Sequence, residues 1–316
     1  MTEQPRGCRA LDVAIALLLF VTVGAVVYVV CCATPAEPHA AKLQDKLDAL
    51  RRLNEARMKA QPPAPPVGLV ELNVAKWRAE HLAKYAVVGP YDKEGRHPVY
   101  WYTRLDGGLY GAEEVFIWMQ RYGTSPEYLE RESLRTGMEH ALSHKGGALL
   151  NPCYNYVAME SSHRYGGGLH RTGIKFYVIW MVAKWVDWTS PPIYRDGRFT
   201  AEGYVDPIMK PVAFVVRYAP HNPPHRDEIR EHYSLGNVYA CRYLDPPADC
   251  KDAAELDGML IVKRVLDDGR WYIKIDASVP LNKTGLYTFE VIAEDLRTQG
   301  RKCSILHYTV EVPRKP

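Results

Sequence analysis

Residues 154–161 read YNYVAMES and residues 175–188 read KFYVIWMVAKWVDW. Both stretches are rich in aromatic and β-branched residues and lack the three-to-four spacing of a helix. Gly166, Gly167 and Gly168 lie between them. This pattern predicts two antiparallel strands joined by a glycine-containing connection. Helical patterns come before the pair and short strand-like runs after it. That order predicts an α+β protein built in layers, not an alternating βαβ chain.

Upstream, residues 40–59 place Leu43, Leu47, Leu50 and Leu53 on one side of a predicted amphipathic helix. Pro62, Pro63, Pro65 and Pro66 end it as a stiff spacer. A second helix is predicted over residues 67–88, and GPYDKEGRHP (89–98) reads as a loop. Residues 113–122 read as a short helix. Residues 126–142 read as another, with Ser125 as N-cap and Pro126 at the first helical position.

Downstream, the segment TSPP (189–192) breaks the sheet. Short strand-like runs follow at 198–205, 212–218, 260–265, 271–275, 287–294 and 304–312, and only 226–232 looks helical. Strands at this spacing predict a small immunoglobulin-like β-sandwich. With 316 residues and a 47% hydrophobic composition, the chain is long enough for about two domains. The 40 Lys and Arg nearly balance the 37 Asp and Glu, which gives no reason to expect a nucleic-acid partner.

Residues 11–32, LDVAIALLLFVTVGAVVYVVCC, carry only Asp12 as a charge. About 20 apolar residues suffice to cross a bilayer as a helix. Arg6 and Arg9 precede the run, and no Lys or Arg follows before Lys42. The positive-inside rule then predicts a single-pass signal anchor in the cell membrane, with a cytoplasmic N-terminus and an extracellular C-terminal part. CATPA (32–36) also fits a cleavage site, so retention and removal of the segment both stay open.

Of seven cysteines, Cys153, Cys241, Cys250 and Cys303 lie beyond this segment. Four cysteines outside the cytoplasm permit three disulfide connectivities. The turn LDPPAD (244–249) favours Cys241 with Cys250, leaving Cys153 and Cys303 free or paired. Asn282, Lys283 and Thr284 form an N-glycosylation sequon.

Several motifs, in order, resemble the CAP superfamily (cysteine-rich secretory protein, antigen 5 and pathogenesis-related 1). Leu50, Leu53, Asn54 and Arg57 form L-x-x-L-N-x-x-R ahead of a proline-rich turn. Ala112, Glu113, Glu114 and Val115 are similar to the family's Gly-Glu-Asn segment. Leu142, Ser143, His144 and Lys145, followed by Leu149, Leu150, Asn151 and Pro152, are similar to its Ser-Pro-x-His-Arg and Ile-Leu-x-Pro segments. Tyr156 to Met159 and Phe176 to Trp180 fit its strands. The resemblance runs from about residue 43 to 188, and the β-region after it is similar to the extension of archaeal-type members.

The resemblance implies a CAP-like α-β-α sandwich over residues 42–195. Before it would come a cytoplasmic N-terminus (1–10), a transmembrane anchor (11–32) and a linker (33–41), and after it a C-terminal β-sandwich (196–316). It also implies a cleft of two His and two acidic residues able to hold a divalent metal such as zinc. His144 and Glu113, or Glu114, sit at matching positions, and these make the metal candidates. Pro90 stands where the first His is usual, and Glu160 is only near the last position, so the set is incomplete. His140, four residues before His144 on the same helix face, and His97 are further cleft candidates. Ala141 follows His140, so the glutamate of an H-E-x-x-H peptidase is absent.

The aromatic group Trp101, Tyr102, Tyr110, Phe116, Trp118 and Tyr122 reads as core or as cleft lining. Three functions follow as expectations. The first is a binding module at the cell envelope for a lipid, glycan or protein. The second is a metal-assisted hydrolase or peptidase using His144 and Glu113. The third is a structural envelope component.

Overall fold

A computed structural model describes residues 37–85, 89–92, 94–166, 172–220, 235–244, 253–265, 267–298 and 300–313. The chain divides into two compact units, Met1–Asp45 and Lys46–Pro316. The expected anchor at 11–32 and the helix at 226–232 lie outside the described residues. Among the described residues no helix is long and apolar enough to cross a membrane.

Five helices are described. They are α1 (Glu37–Lys59), α2 (Asn73–Tyr85), α3 (Pro98–Asp106), α4 (Pro126–Arg131) and α5 (Leu134–Leu149). Thirteen strands form three sheets. The first sheet joins β1 (Gly68–Leu69), β2 (Gly111–Arg121), β3 (Tyr156–Gly166) and β4 (Thr172–Ala183) in the order β1-β3-β4-β2. The second joins β5 (Val186–Arg195), β6 (Arg198–Val205), β10 (Asp257–Arg264) and β11 (Trp271–Ser278) in the order β10-β11-β6-β5. The third joins β7 (Met209–Pro220), β8 (Asn237–Tyr243), β9 (Ala254–Glu255), β12 (Gly285–Asp295) and β13 (Arg301–Val312) in the order β13-β12-β7-β8-β9.

The expected fold class is therefore corrected. The described chain is mostly β in three sheets, and a CAP-like α-β-α sandwich behind a transmembrane helix does not describe it. The largest single cause is residues 113–122. All of them but Tyr122 lie in strand β2, paired antiparallel along its length with β4, where the sequence predicts a helix. Val115, Ile117 and Met119 are buried while Trp118 and Gln120 are exposed, which is the period-two pattern of a strand. A second cause is that TSPP does not end the sheet structure. Pro191 and Pro192 sit within β5, an edge strand with two register shifts, where a missing N–H costs no ladder bond.

Strand β4 is the centre of the first sheet, and every residue from Phe176 to Ala183 is buried. Helices pack on both of its faces. Leu53 of α1 with Met138 and Ala141 of α5 share a core with Tyr177, Ile179 and Met181. Ala75, Ala79 and Leu82 of α2 share another with Phe176, Val178 and Trp180. The expected apolar stripe of α1 is only partly buried. Leu53 is inside, whereas Leu43 and Leu47 are exposed. The predicted helix at 126–142 is two helices, each capped by a serine: Ser125 accepts from Tyr128 N at 3.3 Å and Ser133 from Thr136 N at 3.2 Å.

The second and third sheets enclose one core, in which Phe199 stacks on Phe289 with ring centroids 4.6 Å apart. The first sheet meets the third closely at Gly111, where a Cβ would come within 1.8 Å of the Ser304 carbonyl oxygen. Cys153 is joined by a disulfide to Cys303, with Cα atoms 5.4 Å apart, which ties the start of β3 to β13. Cys241, buried in β8, is disulfide-bonded as well, and its expected partner Cys250 lies outside the described residues.

Candidate functional site

A cleft of about 660 Å³ opens where β2 and the C-terminal half of α5 face β7, β12 and β13. Its lining includes Pro90, Glu113, Glu114, Phe116, His144, Lys145, Tyr154, Arg217, Glu290, Ser304 and His307. Three of the residues singled out in the sequence, Glu113, Glu114 and His144, therefore meet here, together with Pro90.

Because β2 is a strand, its two adjacent carboxylates point to opposite faces of the sheet. Glu113 accepts from the Tyr154 hydroxyl at 2.7 Å. Glu114 turns the other way and is buried against Arg78 of α2, whose Nε lies 3.1 Å from Oε2. Burial pushes the Glu114 carboxyl up, against the opposing pull of the Arg78 charge. Arg78 also donates to the Gly89 carbonyl at 2.7 Å, fixing the loop that carries Pro90.

The opposite wall was not legible in the sequence as a site. Glu290 on β12 accepts from Arg217 Nε of β7 at 2.7 Å and from the Ser304 hydroxyl. His307 faces Glu290 across the β12–β13 pair, with Nε2 3.7 Å from Oε1. Burial alone would raise the Glu290 pKa. His307, Arg217 and Ser304 together outweigh burial and hold it at about 2. The other ring nitrogen of His307 lies 3.1 Å from the Ala112 amide nitrogen and 3.0 Å from its carbonyl oxygen, so one imidazole bridges β13 and β2. The available signal was Glu290 inside the otherwise uncharged run LYTFEVIA (286–293), since a buried charge in a strand requires partners.

His144 is exposed near the end of α5. Its Nδ1 lies 2.7 Å from Ser143 Oγ and 3.0 Å from the His140 carbonyl oxygen. The His140 ring lies against it, tilted by 35°, with centroids 4.2 Å apart. His140 lines a separate shallow groove with Trp118, Arg121, Thr136 and Glu139. Burial, and then the neighbouring His144 and Arg121, lower its pKa. His97 does not line the cleft. It is fully buried, with Nε2 3.4 Å from Thr288 Oγ1, and burial followed by His307 pushes its pKa down to about 3. Glu160 binds Lys46 at 2.7 Å, which ties α1 to β3.

Of the aromatic group, Tyr102 is core, Phe116 lines the cleft, and Trp118 and Tyr122 are exposed. Asn282 lies exposed between β11 and β12, its Oδ1 accepting from Tyr239 at 3.2 Å. Among the described residues no three His, Cys, Asp or Glu side chains cluster as a metal site. His144 and Glu113 would have to hold an ion with help from elsewhere.

Fold and cleft define a mostly β, three-sheet protein with a polar cleft between its first and third sheets. No protein-family profile matches the chain, and no curated protein is significantly similar to it.

Proposed function

We propose that this protein is a membrane-anchored binding module facing the outside of the cell. Its cleft would take a polar, hydroxyl-rich ligand of the envelope, a glycan in preference to a lipid tail. The carrying observation is how the cleft's charges are arranged. Glu290 is matched by Arg217, and Glu114 by Arg78, so the walls are polar with little net field. Glu113, bound to Tyr154, and His144 remain at the lining to accept from and donate to hydroxyls. The apolar run at 11–32 supports the anchor, and the Cys153–Cys303 disulfide supports an oxidising compartment.

The test is titration of the 316-residue chain in nanodiscs with a panel of oligosaccharides, followed by calorimetry. Saturable binding that is lost in E113Q and H144A supports the reading. Binding unchanged in both variants would move the site elsewhere. Binding of peptides and of no saccharide would replace the glycan with a protein partner.

A further inference from the structure

Strand β10, Asp257–Arg264, is an edge of the second sheet. It pairs with β11 along one side, and among the described residues no strand pairs with its other side. An open edge presents a row of unpaired N–H and C=O groups. The other outer strands are blunted or covered. β5 carries Pro191, Pro192 and two register shifts, β1 and β9 are two residues each, and the outer strands β2 and β13 are packed against each other, β13 also against α3.

The side chains of β10 alternate. Leu260 and Val262 pack against the core between the sheets. Asp257, Met259, Ile261 and Lys263 therefore share the outer face. Met259 is 43% exposed, and Asp257 and Lys263 are exposed with no ion-pair partner among the described residues. The outer face thus reads acid, apolar, apolar, base, a pattern complementary to its own reverse.

We infer that β10 is the contact between two copies of this chain, paired antiparallel about a two-fold axis at Leu260. A two-fold axis perpendicular to the sheet keeps each face on its own side, so like-facing residues meet. Asp257 then stands opposite Lys263 of the second copy at both ends, and Met259 opposite Ile261 of the second copy. Two four-stranded sheets become one continuous sheet of eight. Cross-strand apolar and opposite-charge pairs are the units that stabilise such a junction, and C2 symmetry is the commonest closed arrangement for a self-complementary surface.

The experiment is sedimentation of the 316-residue chain in mild detergent at low ionic strength. The native chain is expected to dimerise. D257K alone and K263E alone each set like charges opposite one another at both ends, and each is expected to weaken the dimer roughly tenfold or more. Mixed together, D257K and K263E chains restore an opposite-charge pair at both ends, so a heterodimer should return with near-native affinity. Both substitutions are on exposed side chains, and circular dichroism checks that the fold is kept. A monomeric native chain overturns the proposal, as does a dimer equally strong in both single variants. Failure of the mixture to recover overturns the register. Capture of an unrelated extended peptide by a monomeric chain would assign the edge to a different partner.

Discussion

Arg57 on α1 donates through Nη2 to the carbonyl oxygen of Tyr154 at 3.0 Å, across 97 positions of sequence. The same guanidinium reaches the carbonyls of Leu149 at 2.6 Å, Asn151 at 3.1 Å and Pro65 at 2.7 Å. Leu149 ends α5, so one side chain caps a helix end and holds the turn into β3. Beside it, Asn54 and Val67 exchange two hydrogen bonds, at 3.0 and 2.8 Å. Asn54 and Arg57 of the L-x-x-L-N-x-x-R segment are thus organisers of the fold.

Replacing this arginine tests that role. Arg57 is fully buried, and burial followed by the charge of Arg297 lowers its pKa to about 10, still protonated at neutral pH. R57A leaves four carbonyls without this donor and should destabilise by about 3–5 kcal/mol in urea unfolding. R57K should recover little, because an ammonium cannot reproduce the planar fork. A loss below about 1 kcal/mol would sink the assignment.

The Cys153–Cys303 disulfide spans 150 residues of chain. Chain-entropy reasoning gives roughly 4–5 kcal/mol for a loop of that order. C153S and C303S should each lower the urea midpoint strongly, and added reductant should shift the native chain at least as far, because it also opens the disulfide at Cys241. A reductant-insensitive midpoint would contradict the bond.

Stability should fall in acid through Glu290. Its folded pKa, about 2, lies below the ordinary glutamate value of 4.5. The unfolded chain therefore binds the proton first as pH drops. The contribution is fully present above about pH 4.5 and is lost as pH falls towards 2, on the order of 3 kcal/mol in all. E290Q should flatten the stability profile across that window, as followed by unfolding at stepped pH. An unchanged slope would show that other carboxylates carry the acid sensitivity.

Two glycines of α5 should respond oppositely to alanine. At Gly137 a Cβ would come within 2.3 Å of Tyr177 Cδ1, so helix and strand could not keep their spacing. G137A should cost about 1–3 kcal/mol. At Gly147 nothing lies within 4 Å of a Cβ. G147A should be neutral or stabilise by up to about 1 kcal/mol. Thermal melts of the pair compare them directly, and equal shifts would contradict the packing.

The two glutamates at 113 and 114 show how far the sequence could be read. As residues of a helix they were interchangeable cleft candidates. As residues of β2 one meets Tyr154 and the other is buried on Arg78. The five-residue apolar run VFIWM (115–119) fits a strand or a helix when read alone, and its pairing with β4 settles the matter. The same holds for the Cys153–Cys303 pairing and for the wall built by Arg217, Glu290, Ser304 and His307, which strands distant in sequence bring together.

The sequence by itself determined the local features. These are the strand character of 156–161 and 175–183, the helix at 40–59, the serine cap at 125 and the β-rich C-terminal part. Each depends on side-chain period, backbone propensity or a hydrogen bond within a few residues. Only the tertiary structure decided the mostly β class, the three-sheet arrangement, the disulfide and the far wall of the cleft. Those depend on contacts between residues many positions apart, whose formation reflects burial and pairing across the whole chain and leaves no local period to read.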